Sequence, residues 1–169
     1  HFHLSTTARV AQLLSLVSEE SSKRDVVASS GIPEAVVRTL NAVATSHGSS
    51  HGTSKKEVEK SLQQVGLALA RFAKHDNIRK KVSSQGTVDT LVKLVHLYKQ
   101  SGGVQLGALT ALTRLEITEK HIEKLQSQIP VARMCTWMAS LEPQIRTRDE
   151  NALSLASLVV SILRSLLVT

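Results

Sequence analysis

Aromatic side chains are scarce. Phe2, Phe72, Tyr98 and Trp137 are the four in 169 residues. Sandwiches and barrels lean on aromatic and β-branched strand residues, so the scarcity argues against an all-β fold. There are three prolines and eight glycines. That is too few for linker material, and each is read as punctuation between helices. The lone cysteine, Cys135, excludes an internal disulfide, and no Cys/His metal framework surrounds it. It lies in an apolar run and reads as a buried, inert thiol. A reducing compartment, the cytoplasm or else the nucleus, fits this usage.

Targeting and catalytic signatures are missing as well. The opening HFHLSTTARV has no charged segment ahead of an apolar one, so it is no signal peptide. It carries no methionine and reads as the start of a processed chain or of a fragment of a longer protein. The most apolar stretch, residues 153–168, is broken by serines and Arg164. It falls short of the roughly 18 clean residues of a spanning helix. No GxGxxG, P-loop, GxSxG or HExxH pattern occurs, and the chain is read as non-enzymatic. His47 and His51 stand four apart in a Gly/Ser loop, and His1 and His3 are terminal. Zinc wants three or four fixed ligands, so no metal and no cofactor are expected. Asp149 and Glu150 fall where a helix should begin, and capping explains them.

What is present is Leu, Val and Ala, within a hydrophobic share of 41%, and a net charge of +7. These residues favour helices. The charge suits acidic partners, or serves solubility alone. A short grammar recurs three times. It reads SSGIPEAVV at 29–37, SSQGTVDTLVKLV at 83–95 and SQIPVARMC at 127–135. Ile32 aligns with Thr87 and with Ile129, at steps of 55 and 42 residues. The second step lies within the roughly 40–47 of helical solenoid repeats. The surplus of 13 in the first is TSHGSSHGTSKKE, residues 45–57. That stretch is polar and aperiodic and reads as an inserted loop. The register holds elsewhere: Val17 and Phe72, Val27 and Val82, and Gly31 and Gly86 are each 55 apart.

Each unit divides into three helical pieces. A short first helix is expected over 76–84, with Asp76 or Asn77 as its N-cap and Gly86 as a left-handed stop. A second helix is expected over 87–100, with Val88, Leu91, Val92, Val95 and Tyr98 at helical spacing. Its counterparts are 32–45 and 129–141, opened by Ile32-Pro33 and Ile129-Pro130. Proline suits a first helical turn. The third and most apolar helix is expected over 61–74 and 104–115, with partners at 8–20 and about 147–167. Alanine and glycine there permit close helix contacts.

This pattern resembles the armadillo repeat. GIPEAVVRTLNAV and QGTVDTLVKLVHL look like the family's GxIPxLVxLL, and LALARFA and LTALTRL like its ALxNLA. The third unit departs from it, with Gln128 where the others have glycine. The resemblance implies an all-α, right-handed α-solenoid of about three units, partial at the ends. It is expected to form one domain over 1–169, with units breaking near Gly31, Gly86 and Gln128. It implies a protein-interaction scaffold whose third helices line a groove for an extended segment of a partner. The family's groove Asn falls at Leu16, Arg71 and Arg114, and its Trp at Gln12, Leu67 and Thr110. Both ladders are absent, which puts import-type recognition of basic signals in doubt. The residues expected to line the groove are Arg9, Gln12, Lys60, Gln64, Leu67, Arg71, Lys74, Thr110 and Arg114.

Guanidinium groups on one wall suit carboxylates or phosphates, so an acidic peptide is the sharper reading. Pairing of the arginines with Glu116 or Glu119 is the plainer one. The basic clusters IRKKV (78–82) and Lys55-Lys56 lack interleaved aromatics. They are read as solvated faces rather than a nucleic-acid track. Two alternatives stand beside the scaffold. One is an electrostatic binder of nucleic acid or anionic membrane. The other is a ligand-sensing module that regulates a catalytic domain outside this chain.

Overall fold

The computed structural model describes residues 4–45, 54–83 and 86–165. Among these residues the chain is all-α, with ten helices and no strand. It divides into two compact units, His1–Glu116 and Ile117–Thr169. The first unit holds α1 (Leu4–Val17), α2 (Ser21–Ser29), α3 (Ile32–Thr45), α4 (Lys55–Phe72), α5 (Asp76–Ser83), α6 (Thr87–Leu97) and α7 (Gly102–Leu112). The second holds α8 (Glu119–Gln128), α9 (Val131–Arg146) and α10 (Glu150–Ser165).

Helices at matching positions of successive repeat ranks lie together in the first unit. α4 packs against both α1 and α7, α6 against α3, and α5 against α2. The joint between α4 and α7 is unusually close. A β-carbon on Gly66 would stand 2.6 Å from the carbonyl carbon and oxygen of Gly107. A β-carbon on Gly107 would stand 2.8 Å from the Gln63 carbonyl oxygen. The glycines thus let two backbones touch. On α4 to α7, Phe72, Leu69, Ile78, Leu91, Leu94, Leu109 and Leu112 are fully buried. Gln105 is buried with them, and its amide donates to the Val95 carbonyl at 3.2 Å.

The breaks behave as their chemistry requires. Gly31 and Gly86 have φ of +71° and +65°, a left-handed geometry that costs a side-chain-bearing residue about 1 kcal/mol. Asp149 caps α10, its carboxylate accepting from the Ala152 N–H at 2.8 Å. The third break lacks the left-handed turn, and Ile129 is extended instead.

Several expected boundaries move. Thr45 ends α3 and Lys55 opens α4, so both ends of the expected 45–57 loop are helical. Residues 46–53, with His47 and His51, lie outside the described residues, as do His1 and His3. The early start of α4 has a local cause: the Ser54 hydroxyl accepts from the Glu57 N–H, in the S-x-x-E order of a helix start. Asp76 does not cap α5 but begins it. The Asn77 side chain accepts from the N–H of Ile78, its neighbour. α6 stops at Leu97, because Tyr98 leaves helical geometry at φ −107°, ψ 38°. Pro143 does not punctuate; it sits inside α9, which runs on to Arg146.

In the second unit α10 packs on α8 and α9 around Leu125, Met134, Leu155, Val159 and Ile162. Cys135 corrects the sequence reading, because it is exposed. α9 buries Met134 and Trp137, and Cys135 points off that line. An apolar run measures composition, whereas helical burial follows the angle around the axis.

Candidate binding face on α1, α4 and α7

α4 lies between two helices, so little of its surface is open. Its open line runs Lys56, Lys60, Gln64, Leu67 and Arg71, at spacings of three and four, and Lys74 follows in the turn after the helix ends at Phe72. Lys56, Lys60, Leu67 and Lys74 are exposed, and Gln64 and Arg71 are half-buried. The line carries cations and one leucine, and no carboxylate. On α1, Arg9, Gln12 and Leu16 are exposed. On α7 Thr110 is half-buried, and so is Arg114 in the turn just past the helix end at Leu112. Seven of the nine expected residues thus lie on α1, α4 and α7, with α4 packed against the other two, and Lys74 and Arg114 lie in the turns that follow α4 and α7.

Not all of them remain available for a partner. The Lys74 amine pairs with the Glu19 carboxylate at 3.3 Å. The Thr110 hydroxyl donates to the Leu106 carbonyl at 2.8 Å, one turn back along its own helix. Lys56, which the sequence reading places in the 45–57 loop, joins the line because the capped start of α4 makes it helical. Arg71, Lys60 and Lys56 are the cationic part of the face that the geometry emphasises.

Polar struts also tie α2 and α3 to α5 and α6. Besides Lys74 with Glu19, the Asn77 amide donates to the Asp25 carboxylate at 2.9 Å. Lys81 pairs with Glu34 at 3.4 Å and donates to the Ala28 carbonyl. Thr90 bonds Asn41. The basic cluster of α5 is thus partly structural, since Arg79 also pairs with Asp76 at 2.7 Å. Among the described residues no three His, Cys, Asp or Glu side chains stand together as a metal would need.

His75 sits among the struts with its Nε2 buried and unpartnered among the described residues. Burial holds its pKa below the ordinary 6.5, and the Arg24 charge adds to the effect. Lys74 works the same way and Glu19 against it. The unfolded imidazole therefore takes up its proton at higher pH than the folded one. The contribution to stability is complete above about pH 6.5 and falls as pH drops toward the lowered folded value. Urea midpoints are expected to decline from about pH 7 to about pH 5, and to decline less in His75→Gln. Parallel profiles for the two proteins would remove His75 as the cause.

The fold and face define a class only broadly: an all-α chain whose first unit packs α4 between α1 and α7 and carries a cationic line on α4. Comparisons with protein-family models, curated proteins and solved structures find no match. No helix among the described residues is long and apolar enough to cross a membrane.

Proposed function

We propose that the chain is a non-catalytic scaffold of armadillo-like repeats, and that it receives an extended acidic segment of a partner protein across α1, α4 and α7. The observation that carries the reading is the open line of α4, where Lys56, Lys60 and Arg71 flank Leu67 without a carboxylate among them. The like-rank packing of α1, α4 and α7 supports the repeat reading. A segment with alternating carboxylates and apolar side chains complements such a line. Its acids meet the cations, and an apolar residue covers Leu67. The proposed setting is the cytoplasm or nucleus, where the exposed Cys135 thiol stays reduced.

The test is fluorescence anisotropy with a labelled Glu/Leu peptide, a Lys/Leu control and a single-stranded oligonucleotide. Binding of the acidic peptide is expected, with Arg71→Glu weakening it by about tenfold or more. Circular dichroism should show both proteins equally helical. Indifference of peptide binding to Arg71→Glu would sink the proposal. Tighter, steeply salt-dependent binding of the oligonucleotide would replace it with the electrostatic reading.

A further inference from the structure

We infer that the junction between the first two ranks, where the turn after α4 meets the turn from α1 into α2, is an acid-sensitive latch. With the His75 ring neutral the latch is closed. Protonation of that ring parts α1 and α2 from α4 and α5, while α6 and α7 keep their packing. The ring is placed to act in this way. Its Nε2 is buried and meets no partner among the described residues. The backbone around it is held on both sides. The His75 N–H donates to the Phe72 carbonyl at 3.2 Å, and the His75 carbonyl accepts from the N–H groups of Ile78 at 3.0 Å and Arg79 at 2.7 Å. The last two bonds open α5, so a shift of the His75 backbone would unwind the start of that helix.

The charges that act on the ring, Arg24, Glu19 and Lys74, are fastened too. Arg24 of α2 donates to the carbonyls of Ser18 at 3.2 Å and Glu19 at 3.4 Å. Lys74 pairs with the Glu19 carboxylate at 3.3 Å. Nearby, Asp76 and Arg79 of α5 hold each other at 2.7 Å, and Asp25 of α2 accepts from the Asn77 amide at 2.9 Å. An imidazolium here is a third cation beside Arg24 and Lys74, with the Glu19 carboxylate already engaged. It is also a buried N–H donor with nothing to receive it. Admitting water relieves both penalties, and Arg24 and Glu19 stand on the opposite side of the rank junction from the ring. Apolar burial resists parting only weakly on that side. α1 buries Ala8, Ala11 and Ser15, and α2 buries Val27 and Ala28, whereas α4 buries Leu62, Val65, Leu69 and Phe72. In the opened junction the ring regains its ordinary affinity for a proton, so opening is favoured as pH falls below about 6.5. Parting would carry Arg9, Gln12 and Leu16 away from α4. That consequence rests on the proposed peptide face, whereas the latch itself does not.

Hydrogen exchange of the whole chain, read as protection factors corrected for the intrinsic rate at each pH, tests the latch with no peptide present. Between about pH 7.5 and about pH 5.5, protection in α1 and α2 is expected to fall by about threefold to tenfold, tenfold being the limit for one proton over this span. α6 and α7 should keep their protection. His96→Gln removes an exposed imidazole of α6 and should behave as the unaltered chain does. His75→Gln, equally helical by circular dichroism, should hold α1 and α2 equally protected at both pH values. Protection in the unaltered chain that ignores pH overturns the proposal. So does a fall shared equally by α6 and α7, since that is unfolding of the whole unit. These two outcomes need no variant. A fall that His75→Gln retains also overturns it, because another group would then be the trigger.

Discussion

Phe72→Ala is expected to lower the stability of the first unit by about 3–5 kcal/mol. Phe72 is the last residue of α4, and its ring is fully buried. It is one of four aromatics in the chain, so little else of its size exists to fill the space. Truncation loses the transfer energy of the ring and leaves a cavity in a core that also holds the fully buried Leu69 and Ile78. A domain of this size has about 5–15 kcal/mol in all. Urea unfolding followed by far-ultraviolet circular dichroism should show the midpoint fall by a third or more. The register supplies the control. Val17 holds the same position one rank earlier but is 37% exposed, and Val17→Ala in dilute solution should cost less than about 1 kcal/mol. Equal losses at the two sites would mean that Phe72 packs no more tightly than its counterpart. The core assigned to α4 would then be wrong.

The contrast between Val17 and Phe72 marks what a sequence carries and what it withholds. The register was legible because it rests on local chemistry. Gly31 and Gly86 need a left-handed turn, Pro33 suits a first turn, and Asp149 caps α10, and each of these acts within a few residues. The all-α class followed from the same spacing. The candidate face was legible in outline because a helix exposes every third or fourth residue, which put Lys60, Leu67 and Arg71 on one line. Burial of that line's neighbours was not legible, since it depends on which ranks stand on either side. The struts were within reach. Glu19 and Lys74 are 55 apart, so the register itself sets opposite charges at matching corners of successive ranks. Lys74 is therefore committed to its pair with Glu19. The start of α4 was missed because a Gly/Ser/His-rich stretch dominated the reading of 45–57. Yet the single contact of Ser54 with Glu57 decides where the helix begins. Cys135 was misplaced because hydrophobic content was counted without its angle.

Gly66→Ala should destabilise the first unit although alanine is the better helix former. The gain in propensity is about 1 kcal/mol. Against it stands a β-carbon 2.6 Å from the Gly107 carbonyl and 3.1 Å from the Ala108 nitrogen. Both obstacles are backbone of a packed helix, so neither can rotate away. α4 and α7 must separate, and overpacking of this kind costs about 1–3 kcal/mol, occasionally more. The net effect is a loss, read as a melting temperature lower by several degrees. Gly102→Ala gives the opposite expectation. It opens α7 with no atom within 4 Å of its β-carbon, so the change should be neutral or mildly stabilising. Gly107→Ala should resemble Gly66→Ala, because its β-carbon meets the Gln63 carbonyl. The double substitution should cost less than the two single losses added together. Once one methyl has parted the helices, the second finds the space already made. Strict additivity would show that the two glycines relax independently, and the backbone contact between α4 and α7 would not be the joint that holds these ranks together.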